Sequence, residues 1–316
     1  MRSPLLSLPV LMAGVLLLAA CGSEGKAGSR SDAPPHDSPC GAQPSGTATA
    51  SDGVRITGVS RDAGHCAEFE VTNHEAEPFT YTITFTFLSG AGEALASQKE
   101  TIPSVEPGRT VKRTVTLSGT AALPSAMRGP ARVKIAEVRS VPTGEAPSPA
   151  GSCPPSGVRV YTDDGDAAMG LRLAGINLEN CGTRTTRLNG YPELQLLDKA
   201  HKPVDGVKVL QGGSAIATGT GADGVPQPLA LEPGERAYAL LVWRNTVEGG
   251  DPVNAPYVRV RATPGAAPVT VTPELDLGTT GKLGVGPWKK DESKAPGAGG
   301  GASSGTQSPE RPPGRP

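Results

Sequence analysis

Four cysteines (40, 66, 153 and 181), four histidines (36, 65, 74 and 201), an acidic run and a glycine run are the residues whose types and spacing could do chemistry. Zinc sites usually bring a C-x-x-C pair, and none of the cysteines forms one. His65 adjoins Cys66, but no histidine has a partner at H-x-x-x-H spacing, so the pattern gives no metal ligands. Asp163, Asp164 and Asp166 flank Gly165. An EF-hand needs ligands at alternate positions and a distant glutamate, so this run reads as a polar hairpin turn. Gly219-Thr220-Gly221-Ala222-Asp223-Gly224 fits G-x-G-x-x-G, yet Pro226 and Pro228 follow where a dinucleotide site needs a helix start. It reads as a loop. Gly212-Gly213-Ser214-Ala215-Ile216 lacks the last glycine of a nucleophile elbow. No catalytic, metal or cofactor residue is therefore assigned.

A fifth cysteine has a different context. Arg2 and the terminal amine precede an apolar stretch, Leu5 to Ala20, broken by Ser7, Pro9 and Gly14. That is a signal h-region more than a membrane span, which needs about 20 unbroken apolar residues. The stretch ends in Leu18-Ala19-Ala20-Cys21 and resembles the lipobox of bacterial lipoproteins. The resemblance implies removal of residues 1–20 and lipidation of Cys21, the lipoprotein palmitate signature. It also implies an exported protein, lipid-anchored to the outer face of the cell membrane. Two or more acyl chains make such anchoring stable. Residues 21–39 are Gly, Ser, Pro and mixed charge. They read as a flexible tether averaging about 25 Å end to end.

Removing the first 20 of 316 residues leaves 296, enough for two domains. Lys+Arg number 30 and Asp+Glu 31, with no basic stripe, which excludes a nucleic-acid partner. Aromatics are 3% while Gly (42) and Pro (32) abound, the usage of short strands and many turns. With Cys21 lipidated, an even number of cysteines remains in an oxidising compartment, and four allow three pairings. Cys40–Cys66 and Cys153–Cys181 are preferred because each pair lies inside one domain. Each would close a loop worth about 3.5 kcal/mol on the chain-entropy model.

Those domains are visible as strand patterns. In residues 40–142, Val54–Val59 and Phe69–Thr72 read as strands. Phe79 to Phe87 alternates large apolar residues with threonines, so one set should face a core and the other water. An aromatic face could bind sugar or lipid. In a domain with few aromatics it reads instead as the inner face of a sandwich. Val111, Val115 and Leu117 mark a further strand, and Val133 and Ile135 the last. Residues 143–152 read as a short linker. Residues 153–290 hold strand candidates at Val158–Tyr161, Leu171–Leu178, Glu193–Leu197, Val207–Leu210, Ala237–Trp243, Tyr257–Val260 and Val269–Leu275. Residues 291–316 are Gly, Ser, Pro and charge and should be disordered. The fold class is all-β: two tandem immunoglobulin-like β-sandwich domains with a disordered tether and tail. Val105-Glu106-Pro107-Gly108 and Leu231-Glu232-Pro233-Gly234 repeat one turn phrase. The echo suggests similar corners without showing duplication, because Cys66 precedes its strand and Cys181 follows one.

Four segments of the second domain carry a resemblance: Cys153-Pro154, Asn177-Leu178-Glu179-Asn180-Cys181, Leu188-Asn189-Gly190-Tyr191-Pro192-Glu193, and Leu231-Glu232-Pro233-Gly234 with Ala237, Leu240 and Trp243. Together they resemble the domain of unknown function 4232 family of actinobacterial lipoproteins and secreted proteins. Lys199-Ala200-His201-Lys202 departs from the family's Gly-containing turn. The resemblance implies a fold and an address and no chemistry. The function expected is a non-enzymatic, extracellular cell-envelope module that binds an envelope protein, a wall polymer or a small ligand through its loops. The alternative is an envelope enzyme whose site is assembled across loops.

Overall fold

The computed structural model describes residue 40 and residues 43–44, 50–60, 66–117 and 132–292. The expected signal (residues 1–20), Cys21, the expected tether with His36, His65 and residues 293–316 lie outside them. The described residues are almost wholly β, as the alternating patterns and frequent turn residues require. None of them forms a helix long and apolar enough to cross a membrane.

The first sandwich runs through β1 (Gln43–Pro44), β2 (Ala50–Ser51), β3 (Val54–Val59), β4 (Cys66–Thr72), β5 (Phe79–Leu88), β6 (Ala94–Val105), β7 (Thr110–Thr116) and β8 (Arg132–Pro142). One sheet has the order β1-β3-β4-β7 with β2 also on β3, and the other is β6-β5-β8. Phe79, Tyr81, Ile83, Phe85 and Phe87 are all buried in the core between them. The rings of Phe69 and Phe85 meet across the sheets at 4.7 Å. So the aromatic face is core. Of the threonines between, Thr80, Thr82 and Thr84 are half-buried and Thr86 is buried, so none of them stands in water. β5 is the middle strand, and neighbours lean over it: Thr80 meets the Thr143 hydroxyl at 3.1 Å, and Thr86 meets Ser97 at 3.4 Å.

β6 has no counterpart among the sequence-predicted strands. It is an edge strand, mostly polar, and it carries Pro103. Proline is tolerated at an edge or a bulge. Pairing shifts from Phe79↔Val105 to Tyr81↔Ile102, so Pro103 and Ser104 share the bulge opposite Thr80.

After a 3₁₀ turn at Thr143–Glu145, the second sandwich follows: β9 (Val158–Thr162), β10 (Asp166–Ala168), β11 (Leu171–Asn180), β12 (Thr186–Leu188), β13 (Glu193–Leu197), β14 (Lys208–Gln211), β15 (Leu229–Leu231), β16 (Arg236–Arg244), β17 (Asn254–Ala255), β18 (Tyr257–Arg261), β19 (Val269–Val271), β20 (Leu275–Asp276), β21 (Lys282–Val285) and β22 (Lys289–Lys290). A seven-stranded sheet is built on β10-β11-β16-β21-β14, with β9 on β11 and β22 on β16; the three-stranded β13-β18-β19 lies apart from it. A second, separate core fills this sandwich, and Trp288 is among its most buried side chains. The predicted strand Val269–Leu275 divides into β19 and β20 around Pro273 and Glu274.

The run Asp163-Asp164-Gly165 is not a hairpin turn. β9 and β10 both pair antiparallel with β11, Thr162 opposite Ile176 and Asp166 opposite Leu173. Three residues therefore oppose two, which makes a β-bulge in one interrupted strand. Gly165 takes φ 70°, and a Cβ there would sit 2.3 Å from the Leu173 carbonyl oxygen. The Asp163 carboxylate accepts the amides of Gly165 (3.1 Å) and Gly175 (2.8 Å), so it serves the backbone.

Both sandwiches are closed by the same corner. Asn73 follows β4 and Asn180 ends β11; both side chains are buried. Asn73 Nδ2 donates to the carbonyls of Glu77 and Val105, both at 2.8 Å. Asn180 Nδ2 donates to those of Arg184 (2.9 Å) and Leu231 (2.7 Å). Each Oδ1 accepts the amide two residues on, Glu75 at 2.8 Å and Gly182 at 3.2 Å. Each backbone meets the repeated phrase alike. Gly108 and Gly234 donate to the carbonyls of Asn73 and Asn180, while the two asparagine amides donate to the carbonyls of Arg109 and Glu235.

Candidate functional site

The preferred disulfides are both formed: Cys40 with Cys66 (Cα–Cα 6.0 Å) and Cys153 with Cys181 (Cα–Cα 5.5 Å). Cys66 is the first residue of β4. All four cysteines are thus structural. Among the described residues no group of three or more His, Cys, Asp or Glu side chains is placed to hold a metal ion.

The glycine run 219–224 lies in a loop tied down by its own residues. Asp223 Oδ1 accepts the amides of Gly213 and Ser214, both at 2.9 Å. The Ser214 and Gly213 amides hold this carboxyl below the usual carboxylate range. Lys289 Nζ donates to the carbonyls of Gly221 (2.6 Å) and Asp223 (2.8 Å). Its polar groups hold the loop itself, and no helix start follows to receive a phosphate.

Several concave regions remain among the described residues. The first, of about 420 Å³, is lined by Asp164, Asp166, Arg172, Glu274 and Asp276. Asp276 accepts Trp243 Nε1 at 2.8 Å and Asn245 Nδ2 at 3.0 Å and meets Arg172 at 3.5 Å, while Glu274 pairs with Arg139.

The second, of about 280 Å³, lies where the two sandwiches meet and brings together His74, Glu75, Tyr81, His201 and Tyr257. Spacing in the sequence did not disclose this convergence. His201 sits in the turn Lys199-Ala200-His201-Lys202 and takes the left-handed conformation, φ 58°. Its ring lies 4.5 Å from that of Tyr257 and 5.3 Å from that of Phe79. Its Nε2 meets the Ser140 carbonyl at 2.7 Å, and the Tyr257 hydroxyl accepts the Ser140 amide at 3.2 Å. Burial first, then Glu75 and Tyr257, push the Tyr81 hydroxyl up to about 12. It stays protonated at neutral pH and donates to Asn73 Oδ1 at 3.3 Å. The main work of this cluster is to join the two halves.

The third is a groove of about 470 Å³ beside β9, an edge strand of the second sandwich. Its walls are Val158 and Val160 of β9, Leu178, Leu188, and Ala266 and Val269 from the β18–β19 hairpin. The segment after β8 crosses one end of it. This segment is strapped down, because the Glu145 carboxylate accepts Arg259 Nε (2.8 Å) and Thr270 Oγ1 (2.7 Å). It therefore acts as a wall of the second sandwich more than as a loose linker.

One charged side chain, Arg159, lines this groove while being only 9% exposed. It pairs with Glu179, which also takes Arg236 at 3.2 Å, and its Nη1 donates to the Pro149 carbonyl at 3.3 Å. Its Nε is buried without a hydrogen-bond partner. A buried donor left unmet costs about 1–3 kcal/mol, so such groups are rare. Sequence reasoning missed the groove because its walls are small alanines, prolines and valines from segments far apart in the chain.

Residues 153–289 match the model of a family described as a domain of unknown function, DUF4232. The match spans the second sandwich from its first cysteine to β22 and leaves the first outside. No curated protein matches the chain.

Proposed function

We propose that the protein is an exported, lipid-anchored envelope module that binds a ligand without transforming it, and that the groove beside β9 holds the ligand. One observation carries this reading. The groove combines walls of valine, alanine and proline with a volume in the ordinary range of ligand pockets. The lipobox-like ending at Cys21 supports the address. Tandem sandwiches of this kind suit presenting a site at some distance from a membrane.

The test is complementation of a deletion strain. Ala266→Trp, which fills the groove from an exposed hairpin, should fail to complement while reaching the envelope at normal abundance. His74→Gln with His201→Gln should complement. The reverse pattern would favour the second reading, an envelope enzyme. That reading draws on the convergence of His74, His201, Tyr81 and Glu75 at the junction of the sandwiches.

A further inference from the structure

All the phenylalanines and both tryptophans of this chain are buried, as are Tyr81 and Tyr257. Tyr161 and Tyr238 are placed otherwise. Tyr161 on β9 lies opposite Asn177 on β11, which lies opposite Tyr238 on β16. Their strand neighbours Val160, Ile176, Leu178, Ala237 and Ala239 belong to the core. Alternation therefore sets Tyr161, Asn177 and Tyr238 in one row on the outer face of the seven-stranded sheet, where all three are half-buried. Two strand spacings, about 9.6 Å, separate the tyrosines. Arg159 meets the Tyr161 ring at 5.5 Å and holds it in place. Neither tyrosine hydroxyl has a hydrogen-bond partner among the described residues. Asn177 between them donates to Asp163 Oδ2 (3.3 Å) and to the Gly175 carbonyl (3.4 Å), which leaves its Oδ1 to accept.

We infer that this row is a binding platform for a neutral, extended glycan of β-linked sugars, a site separate from the groove. A pyranose presents C–H faces that stack on aromatic rings, and hydroxyls at its rim that can meet the two tyrosine hydroxyls and the amide. The interval between the tyrosines fits alternate sugars of an extended chain and not of a coiled one. The charges around the row fix the ligand as neutral. In the next outward row, Arg159 and Arg236 both pair with Glu179 between them, so that row borders the platform without offering a free charge. Lys289, opposite Tyr238, ends the aromatic row with its Nζ already on the carbonyls of Gly221 and Asp223.

The experiment is calorimetric titration of the full chain carrying Cys21→Ser with chitohexaose, cellohexaose and maltohexaose. The first two are extended β-linked chains and the third is a coiled α-linked one. At least one β-linked hexamer should bind, and maltohexaose at least about tenfold more weakly. Tyr161→Ala and Tyr238→Ala should each weaken the β-linked hexamer about tenfold or more. Phenylalanine at either position should keep the affinity within about threefold, because the ring remains. Thermal midpoints show whether each fold survives. If an alanine variant fails to fold, Asn177→Arg replaces it: a long charged side chain between the rings should abolish binding with the midpoint unchanged. Ala266→Trp should leave glycan binding intact. Absence of binding by both β-linked hexamers at millimolar concentration overturns the platform, and equal affinity for maltohexaose overturns the extended chain. Binding that survives both tyrosine-to-alanine changes overturns the location, and binding lost in Ala266→Trp moves it to the groove.

Discussion

The corner at Asn73 and the corner at Asn180 use the same hydrogen bonds to the same turn phrase, yet the disulfides brace opposite ends of the strands they terminate. Cys66 opens β4, seven residues before Asn73, whereas Cys181 directly follows Asn180 at the end of β11. In the first sandwich the corner and the cross-link are separate fastenings. In the second they form one. The corner phrase alone thus suffices to turn a chain from one sheet to the other, and the disulfide is an addition whose place is free. A further difference is Tyr81, whose hydroxyl gives Asn73 a donor that Asn180 lacks.

The comparison can be broken most forcefully at the asparagines. Asn73→Asp or Asn180→Asp turns an amide that donates to two carbonyls into an acceptor facing them. Each should cost on the order of 4 kcal/mol in urea unfolding at pH 7. A cost under about 1 kcal/mol at either site would mean that the two corners are not equivalent. Removing either disulfide as a Cys→Ser pair should cost about 3.5 kcal/mol, since the sequence separations are 26 and 28. The sharper expectation is in double-mutant cycles. Loss of Cys153–Cys181 should be non-additive with Asn180→Ala, because the two sites adjoin, and loss of Cys40–Cys66 should add to Asn73→Ala within about 0.5 kcal/mol.

Tyr81→Phe should cost about 1 kcal/mol at neutral pH through the lost bond to Asn73. Its pH signature has a definite sign. The hydroxyl is raised to about 12 in the folded chain from 10.0, so its contribution is complete below pH 10 and is lost as pH rises towards 12. Melting curves of the wild type should therefore fall more steeply over that window than those of the variant. Smallest and most nearly equal should be Gly108→Ala and Gly234→Ala. Both glycines have positive φ, 67° and 86°, with open space where a Cβ would go, so only backbone strain of about 1 kcal/mol is added.

What could be read beforehand follows the physics of each segment. The alternation of Phe79 to Phe87 announces β5 because one face is wholly buried, and cysteine parity with domain placement announces both disulfides. The repeated Glu-Pro-Gly phrase points to the matching corners, but the asparagines that complete them lie 34 and 53 residues before Pro107 and Pro233 and carry no local sign. β6 hides because an edge strand with one exposed face tolerates Lys99, Glu100 and Pro103. β21 hides because four residues including a glycine are too few to show a period. The bulge at Gly165 was read as a turn since both ask for the same positive φ. The donor Arg159 lies in an ordinary strand pattern, and only the packing around it withdraws its partner.

β21 lies between β16 and β14, antiparallel to the first and parallel to the second. The seven-stranded sheet is thus completed by a segment that reaches the assembly after β9–β20 have been supplied. Until Lys282–Val285 arrives, β16 has an open edge and β14 has nowhere to pair. This half therefore stays unfinished until nearly all of the chain is available. Closing so distant a pair also makes this the slow half to assemble.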